Sequence, residues 1–386
     1  MPGRRGRPAI GLPGIRFPSS HRPAPAVKST CMRTIAAVLA LAGSLAASAA
    51  AAPYTVTDEL GRSVAFGAVP SRIVLAGRGT VLLVDAAYLF PGVGDRVIGV
   101  AATDQGLGDV LPVLDPSSAR KVRFPNDAGA EQIAGARPDL VILKTYSKER
   151  VGDALERAGI PVLYLDLESS EIFYEDVRTL GDVLRQPERA ATIIGWYQSR
   201  VAAVTAAVAA GTAGAARPSV LVVQATRKDA DLAVTVPPAG WIQAWMIETA
   251  GGTPVWAAEN RTTGWLKVGI EQVASWDPDR VLVVSYASSA VEAARRLSGV
   301  PAWQATRAGR AGAIRPFPAD LLSWDQSDAR WILGLEWLAA TIHADRFPGF
   351  DLAAEVTAFY RDLYGLDRAA IESLILPRLA PAIPDR

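Results

Sequence analysis

The feature of this sequence that most limits its fold is a change of rhythm near its middle. Short apolar runs predict strands over 72–76, 97–100, 139–143 and 162–167, and helical patterns over 81–90, 129–135 and 148–158 fall between them. Such alternation makes a mostly parallel sheet with helices on both faces. A hairpin over 54–66 comes first, its apolar residues alternating on both sides of Leu60-Gly61-Arg62. After Glu171 the alternation stops. Pro187 stands where a first-turn proline belongs, and Ala190, Ile193, Ile194, Tyr197, Val201, Val204 and Val208 then share one face. A helix over 188–208 would be roughly 30 Å long, the width of a small domain. A second series follows, with strands over 220–224, 280–285 and 313–317 and helices over 241–249, 271–275, 328–343 and 352–364. The expected fold is α/β: two Rossmann-like lobes with mostly parallel sheets, 53–187 and 213–386, joined by one long helix over 188–212 that acts as a rigid strut. The halves echo each other in Arg137-Pro138-Asp139-Leu140-Val141-Ile142 and Asp277-Pro278-Asp279-Arg280-Val281-Leu282.

Half of the 386 residues are apolar, a fifth are charged and the net charge is +1. That is globular composition with room for two domains, and it gives no reason to expect nucleic acid as a partner. Residues 1–52 are set apart. Arg4, Arg5, Arg7, Arg16, Arg22 and Lys28 lie among Pro and Gly with no acidic residue up to position 31. Met32 and Arg33 then open an uncharged apolar run over 35–45 that leaves through small residues to Ala52. A basic start, a short apolar stretch and a small-residue exit read as a secretory signal, cut between about Ala49 and Pro53. Translation is expected to start at Met32 or to carry an unusually long basic leader. A retained anchor is the weaker alternative, because an Ala-rich run inserts poorly. The single cysteine, Cys31, precedes the apolar run, so the mature chain has no disulfide. The expected location is the periplasm.

Ligands of open α/β sheets sit at the carboxyl ends of the strands. In the first lobe that rule selects Arg78 and Thr80, Thr103 and Asp104, and Lys144 to Tyr146. In the second it selects Thr226 to Lys228, Tyr286 and Asp320 to Trp324, with Trp241 and the stretch from Arg261 to Trp265 beside them. Arg78, between two glycines, could grip an anionic group with paired hydrogen bonds, or could simply be a solvated loop arginine. All ten tryptophans fall from Trp196 onward. An aromatic wall against a macrocycle or catechol therefore has to come from Trp241, Trp265 and Trp324, with Tyr146 and Tyr286. Core packing is the alternative for each, and is the role assigned to Trp276, Trp331 and Trp337. The helix after Trp241 would aim free N–H groups at the cleft, and Arg78, Lys144 and Arg261 would make the pocket cationic.

Of the two histidines, His21 is in the leader and His343 ends a late helix. A bare zinc, manganese or nickel ion lacks the His and Cys ligands it needs, and there is no D-x-D-x-D-G calcium loop. No metal site or intrinsic cofactor is expected, so any metal would arrive already chelated. Gly77-Arg78-Gly79 lacks the third glycine of a dinucleotide fingerprint, and G-x-S-x-G, a P-loop and a cysteine nucleophile are absent. An enzyme, the competing class, is thereby disfavoured.

Asp58-Glu59-Leu60-Gly61-Arg62-Ser63-Val64, followed by Val69-Pro70-Ser71-Arg72-Ile73-Val74, resembles the opening of the iron-siderophore, haem and cobalamin binding proteins of ABC importers. Glu131-Gln132-Ile133 before Ala136-Arg137-Pro138-Asp139 is similar to that family's first-lobe pattern. Ile270-Glu271-Gln272-Val273 before Trp276-Asp277-Pro278-Asp279 is the second-lobe counterpart, and Ala250-Gly251-Gly252 also matches. The segment from Leu322 to Ser327, with Trp331 to Gly334, resembles a branch also linked to molybdate-type oxyanions. The resemblance implies a monomeric receptor whose lobes move little, and an ABC permease with its ATPase as partners. It implies an anionic metal complex as ligand: a ferric siderophore first, then haem, cobalamin or molybdate. It also implies permease docking through acidic residues, for which Asp109, Asp115 and Glu259 are the candidates. The family often places Glu after the paired glycines, where this chain has Thr253.

Overall fold

A computed structural model describes residues 52–102, 108–211, 216–225 and 232–379. The leader with His21 and Cys31, the candidates Thr103 and Asp104, and the stretch from Thr226 to Lys228 lie outside the described residues. The chain opens with an antiparallel hairpin, β1 (Tyr54–Thr57) and β2 (Ser63–Phe66), in which Gly61 takes a φ of 71°. Then come β3 (Ile73–Leu75), α1 (Thr80–Tyr88), β4 (Val97–Ala101), β5 (Val122–Phe124), β6 (Leu140–Lys144) and β7 (Val162–Leu165). The five strands from β3 on form one parallel sheet in the order β5-β4-β3-β6-β7. That order reverses direction between β3 and β6, so the loops leaving those two strands part and open a crevice at the sheet's carboxyl edge.

Helix α2 (Ser170–Val183) is capped by the Ser169 side chain, and α3 (Pro187–Ala209) follows with Pro187 in its first turn. At 23 residues α3 is roughly 35 Å long. Its predicted apolar face is buried except at Val201, which is half-buried. This face is why α3 is a strut: it packs on α2 of the first lobe and on α6 (Trp331–Ile342) of the second. Tyr197, on α3, stands 5.0 Å in ring centroid from both Phe173 of α2 and Trp331 of α6. One continuous apolar cluster runs from the first lobe through α3 into the second, and a close-packed joint of this kind resists bending.

The second lobe contains β8 (Ser219–Gln224), β9 (Ala233–Val236), α4 (Ile242–Thr249), β10 (Thr253–Pro254), β11 (Leu266–Gly269), β12 (Arg280–Val284), α5 (Ala290–Ser298) and β13 (Ile314–Pro316). After α6 the described chain passes through α7 (Leu352–Tyr364). The sheet runs β11-β9-β8-β12-β13, with β10 beside β8. β10, β12 and β13 are parallel to β8, whereas β9 and β11 form an antiparallel edge that the sequence rhythm did not announce. The expected two-lobed α/β architecture with a linking helix is the one observed.

Behind the crevice the lobes are tied by a buried ionic hub. Arg330 is wholly buried and pairs with Asp85 of α1 and with Asp320, whose Oδ1 is 3.0 Å from its Nε. Tyr360 of α7 accepts from the same Nε at 3.0 Å and donates to Asp320 at 2.6 Å.

Candidate functional site

Between the lobes lies a cavity of about 200 Å³. Its first-lobe wall carries Gly79, Leu82, Tyr146 and Glu168, and its second-lobe wall Trp241, Ile242, Gln243, Trp265, Tyr286, Gln326 and Ser327. It opens where the loops after β3, β6 and β7 face those after β12 and β13 and the start of α4.

The first-lobe wall is shaped by its backbone. Gly79 adopts φ 67°, and a Cβ there would come within 2.5 Å of the Tyr146 hydroxyl, so any side chain would displace the tyrosine. Tyr146 is 55% exposed and donates from Oη to the Arg78 carbonyl at 3.1 Å. The Thr80 hydroxyl donates to the Gly77 carbonyl and closes the turn from below. Lys144 is completely buried; its Nζ binds the Asp166 carbonyl and Glu168 Oε1, the latter at 2.7 Å. Glu168 is placed by a strained turn, because Leu167 holds φ 58°, a conformation branched side chains avoid. The Asp176 carboxylate of α2 clamps that turn by accepting from the Asp166 and Leu167 amides, both at 2.8 Å. Burial pushes the Asp176 carboxyl up to about 7, against the pull of those two N–H groups.

The second-lobe wall is aromatic. Trp265 stands edge-to-face with both Trp241 and Tyr286, each at a centroid distance of 5.9 Å. Asp325 lies behind them with no exposed surface. Its Oδ2 accepts from Tyr286 Oη at 2.7 Å and from Gln243 Nε2 at 3.2 Å, and its Oδ1 from Ser323 Oγ at 2.6 Å. Burial raises the Asp325 carboxyl, and the three donors oppose the shift. Burial likewise lifts the Tyr286 phenol well above its usual range, with Asp325 adding to the effect. Across the cleft, Ser327 Oγ reaches Glu168 Oε2 at 3.5 Å.

Of the nine expected ligand residues, Tyr146, Trp241, Trp265 and Tyr286 meet at this cavity. Thr80 is buried beneath it and Lys144 behind it. Arg78 and Arg261 are exposed and outside the lining. Trp324 is fully buried, packed in the core rather than presented to the cleft. The cationic pocket expected from Arg78, Lys144 and Arg261 is therefore not what the geometry gives, since Lys144 is spent on Glu168 and the two arginines stand aside. Of the docking candidates, Asp109 and Glu259 are exposed, the former paired with Arg123 at 2.6 Å. Asp115 is enclosed. Burial alone would raise its carboxyl, but hydrogen bonds from Lys121, Ser117 and Tyr88 hold it at about 2. So satisfied a group has little to offer a partner protein. His343 caps the end of α6, as the sequence suggested, and is buried there.

Sequence reasoning missed Leu82, Glu168, Ile242, Gln243, Gln326 and Ser327. Glu168 was within reach, because it follows β7 at the same carboxyl edge that selected the other loops. Among the described residues no cluster of three or more His, Cys, Asp or Glu is arranged to hold a bare metal ion, and no helix is long and apolar enough to cross a membrane.

Two α/β lobes on a helical strut, with a cavity of about 200 Å³ between them, define a two-lobed binding protein. A family model for periplasmic binding proteins matches residues 79–321, more than half of the chain, and the chain belongs to that family. Cobalamin-binding proteins of two Halobacterium salinarum strains are 28% identical over 233 residues, which is 60% of this chain and 58% of theirs. The chain thus spans less than two thirds of the length of those curated relatives. Among solved structures, a periplasmic solute binding protein from Veillonella parvula superimposes with a TM-score of 0.65 at 21% identity, over 85% of this chain and 98% of that one. The molybdate periplasmic binding protein MolA of Haemophilus influenzae, bound to molybdate, gives 0.66 at 19% identity over 81% and 98%. At these identities the two structures bear on the fold.

Proposed function

We propose that this protein is the extracytoplasmic receptor of an ABC importer, capturing a metal complex in the interlobe cleft and presenting it to the permease and its ATPase. One observation carries the reading: aromatic side chains from both lobes converge at the carboxyl ends of the strands, on one cavity at the first sheet's switch point. The receptor acts as an exported monomer, released by its signal segment, and Asp109 and Glu259 are the exposed carboxylates suited to docking on the permease. A volume of about 200 Å³ lies below the usual range for drug-sized ligands, which favours a compact complex over haem. It also leaves a ferric siderophore, the first expectation from sequence, only partly enclosed. The curated cobalamin-binding relatives support a second reading, a corrinoid, which would require the lobes to stand further apart.

Native mass spectrometry with metal analysis, on protein taken from its own periplasm, tests the proposal. The expected result is a one-to-one complex containing a metal. A thermal-shift panel of ferric hydroxamate, haem, cyanocobalamin and molybdate supplements it, since a ligand at about a hundred times its Kd adds about 2.7 kcal/mol of stability. A metal-free protein that no metal complex stabilises would count against the receptor reading.

A further inference from the structure

The cleft's chemistry speaks to the kind of complex it takes, given that the cleft is the ligand site as proposed above. Asp325 is fully buried, and its partners Ser323, Tyr286 and Gln243 are all neutral. Among the described residues no lysine or arginine pairs with it, whereas the wholly buried carboxylates Asp85 and Asp320 share Arg330. A buried charge without a counter-charge is costly, and a bound cation would supply one.

The hydrogen-bond directions agree. A carboxylate only accepts, so both cavity-lining side chains that touch Asp325 must spend a hydrogen on it. The Tyr286 phenol has a single O–H, and with that proton committed its oxygen can only accept from a ligand. Gln243 must turn Nε2 toward Asp325, which leaves Oε1, an acceptor with no partner. On the facing wall Glu168 Oε2, which Lys144 does not take, receives only the 3.5 Å contact from Ser327 Oγ and can accept again. The edge-to-face rings of Trp241, Trp265 and Tyr286 add a surface that attracts cations. Two features favour an anion: the first amides of α4, worth about half a charge at most, and Gln326 Nε2, a buried donor without a partner. The three donors aimed at Asp325 favour its ionised form against the burial that opposes it, and that charge would exceed the half-charge of the helix end, since Lys144 and Glu168 pair with each other.

We propose that the cleft selects a compact, cationic metal complex whose own ligands carry N–H or O–H donors, with Asp325 as the buried counter-charge that orients Tyr286 and Gln243 toward it. Hexaamminecobalt(III) and molybdate are suitable probes, being compact metal species of opposite charge, one only a donor and the other an acceptor. Calorimetry on the purified protein should show one-to-one binding of hexaamminecobalt(III) and a preference over molybdate of at least about a hundredfold. Asp325→Asn should weaken the cation by about tenfold or more and narrow that preference, without lowering the stability of the unliganded protein. Tyr286→Phe, which keeps the ring and removes the acceptor, should weaken the cation by several-fold and serves if the first variant does not fold. Tighter binding of molybdate, no binding of the cation at millimolar concentration, or unchanged cation affinity in both variants would overturn the proposal. Trp241→Ala separates the two levels of the argument. If it abolishes binding of molybdate while the cation fails to bind, the cleft is the site and only the ligand's sign is wrong. If a probe binds and Trp241→Ala leaves it untouched, the cleft itself is not the site.

Discussion

The segment from Asp320 to Arg330 supplies two buried carboxylate centres that differ in one respect. At the hub, Asp320 and Asp85 share the Arg330 guanidinium, and Tyr360 completes the network from α7. At the cleft, Asp325 has only neutral donors. The first centre is closed: its charges meet one another across the lobe boundary and hold α1 against the second lobe. The second has no counter-charge, and two of its donors, Tyr286 and Gln243, line the cavity. The carboxylates paired with Arg330 hold the lobes together, whereas the proposed role of Asp325 is to face a ligand through its cavity-lining donors.

The sharpest way to break this contrast is to remove the charge at each centre. Arg330→Met leaves Asp85 and Asp320 buried without a cation and should cost about 3–5 kcal/mol in chemical denaturation. Asp325→Asn should change stability by less than about 1 kcal/mol. Equal losses would mean that both centres are structural. Next in size, Trp241→Ala should loosen the bound ligand by about a hundredfold, or about 2.7 kcal/mol, in calorimetry, with little change in the denaturation midpoint.

Asp176 is a further buried carboxylate, held by two amides with no ion pair to a cation. Its carboxyl sits at about 7 in the fold, against about 3.9 in an unfolded chain. Between those values the native state binds the extra proton. The stability this confers is complete below about pH 4 and is lost as pH rises through 7, so stability should fall across that window. Asp176→Asn should flatten that slope by on the order of 2 kcal/mol between pH 5 and about pH 8, read from denaturation midpoints. The smallest effect is expected at the cleft rim, where Arg78→Ala should change ligand affinity by no more than about threefold, as for other exposed charges.

Much of the fold could be read from the chain because its strongest signals are local. Pro187 and the one-sided apolar face from Ala190 to Val208 describe α3 without help from tertiary structure. Strands β3, β6 and β8 are short apolar runs bounded by turns. The antiparallel edge of the second sheet was not legible, since Ala233–Val236 and Leu266–Gly269 are four-residue strands whose alternation is too brief to stand out. At the site, the strand-end rule pointed to Tyr146 and Tyr286, which line the cavity. It also pointed to Trp324, because Leu-Ser-Trp-Asp-Gln-Ser-Asp reads as a polar surface loop although Leu322 to Asp328 are buried throughout. Polar residues that pair inside a protein carry no mark of burial in the sequence, which is why the Arg330 hub and Asp325 are visible only in the folded chain.

A crystal structure of the protein isolated from its native source, with an anomalous-scattering map to locate the metal, asks whether the crevice between the lobes is where the ligand is held. A single metal peak is expected between the Trp241, Trp265 and Tyr286 rings and the wall carrying Tyr146 and Glu168. A metal bound anywhere else on the molecule, above an empty crevice, would contradict it.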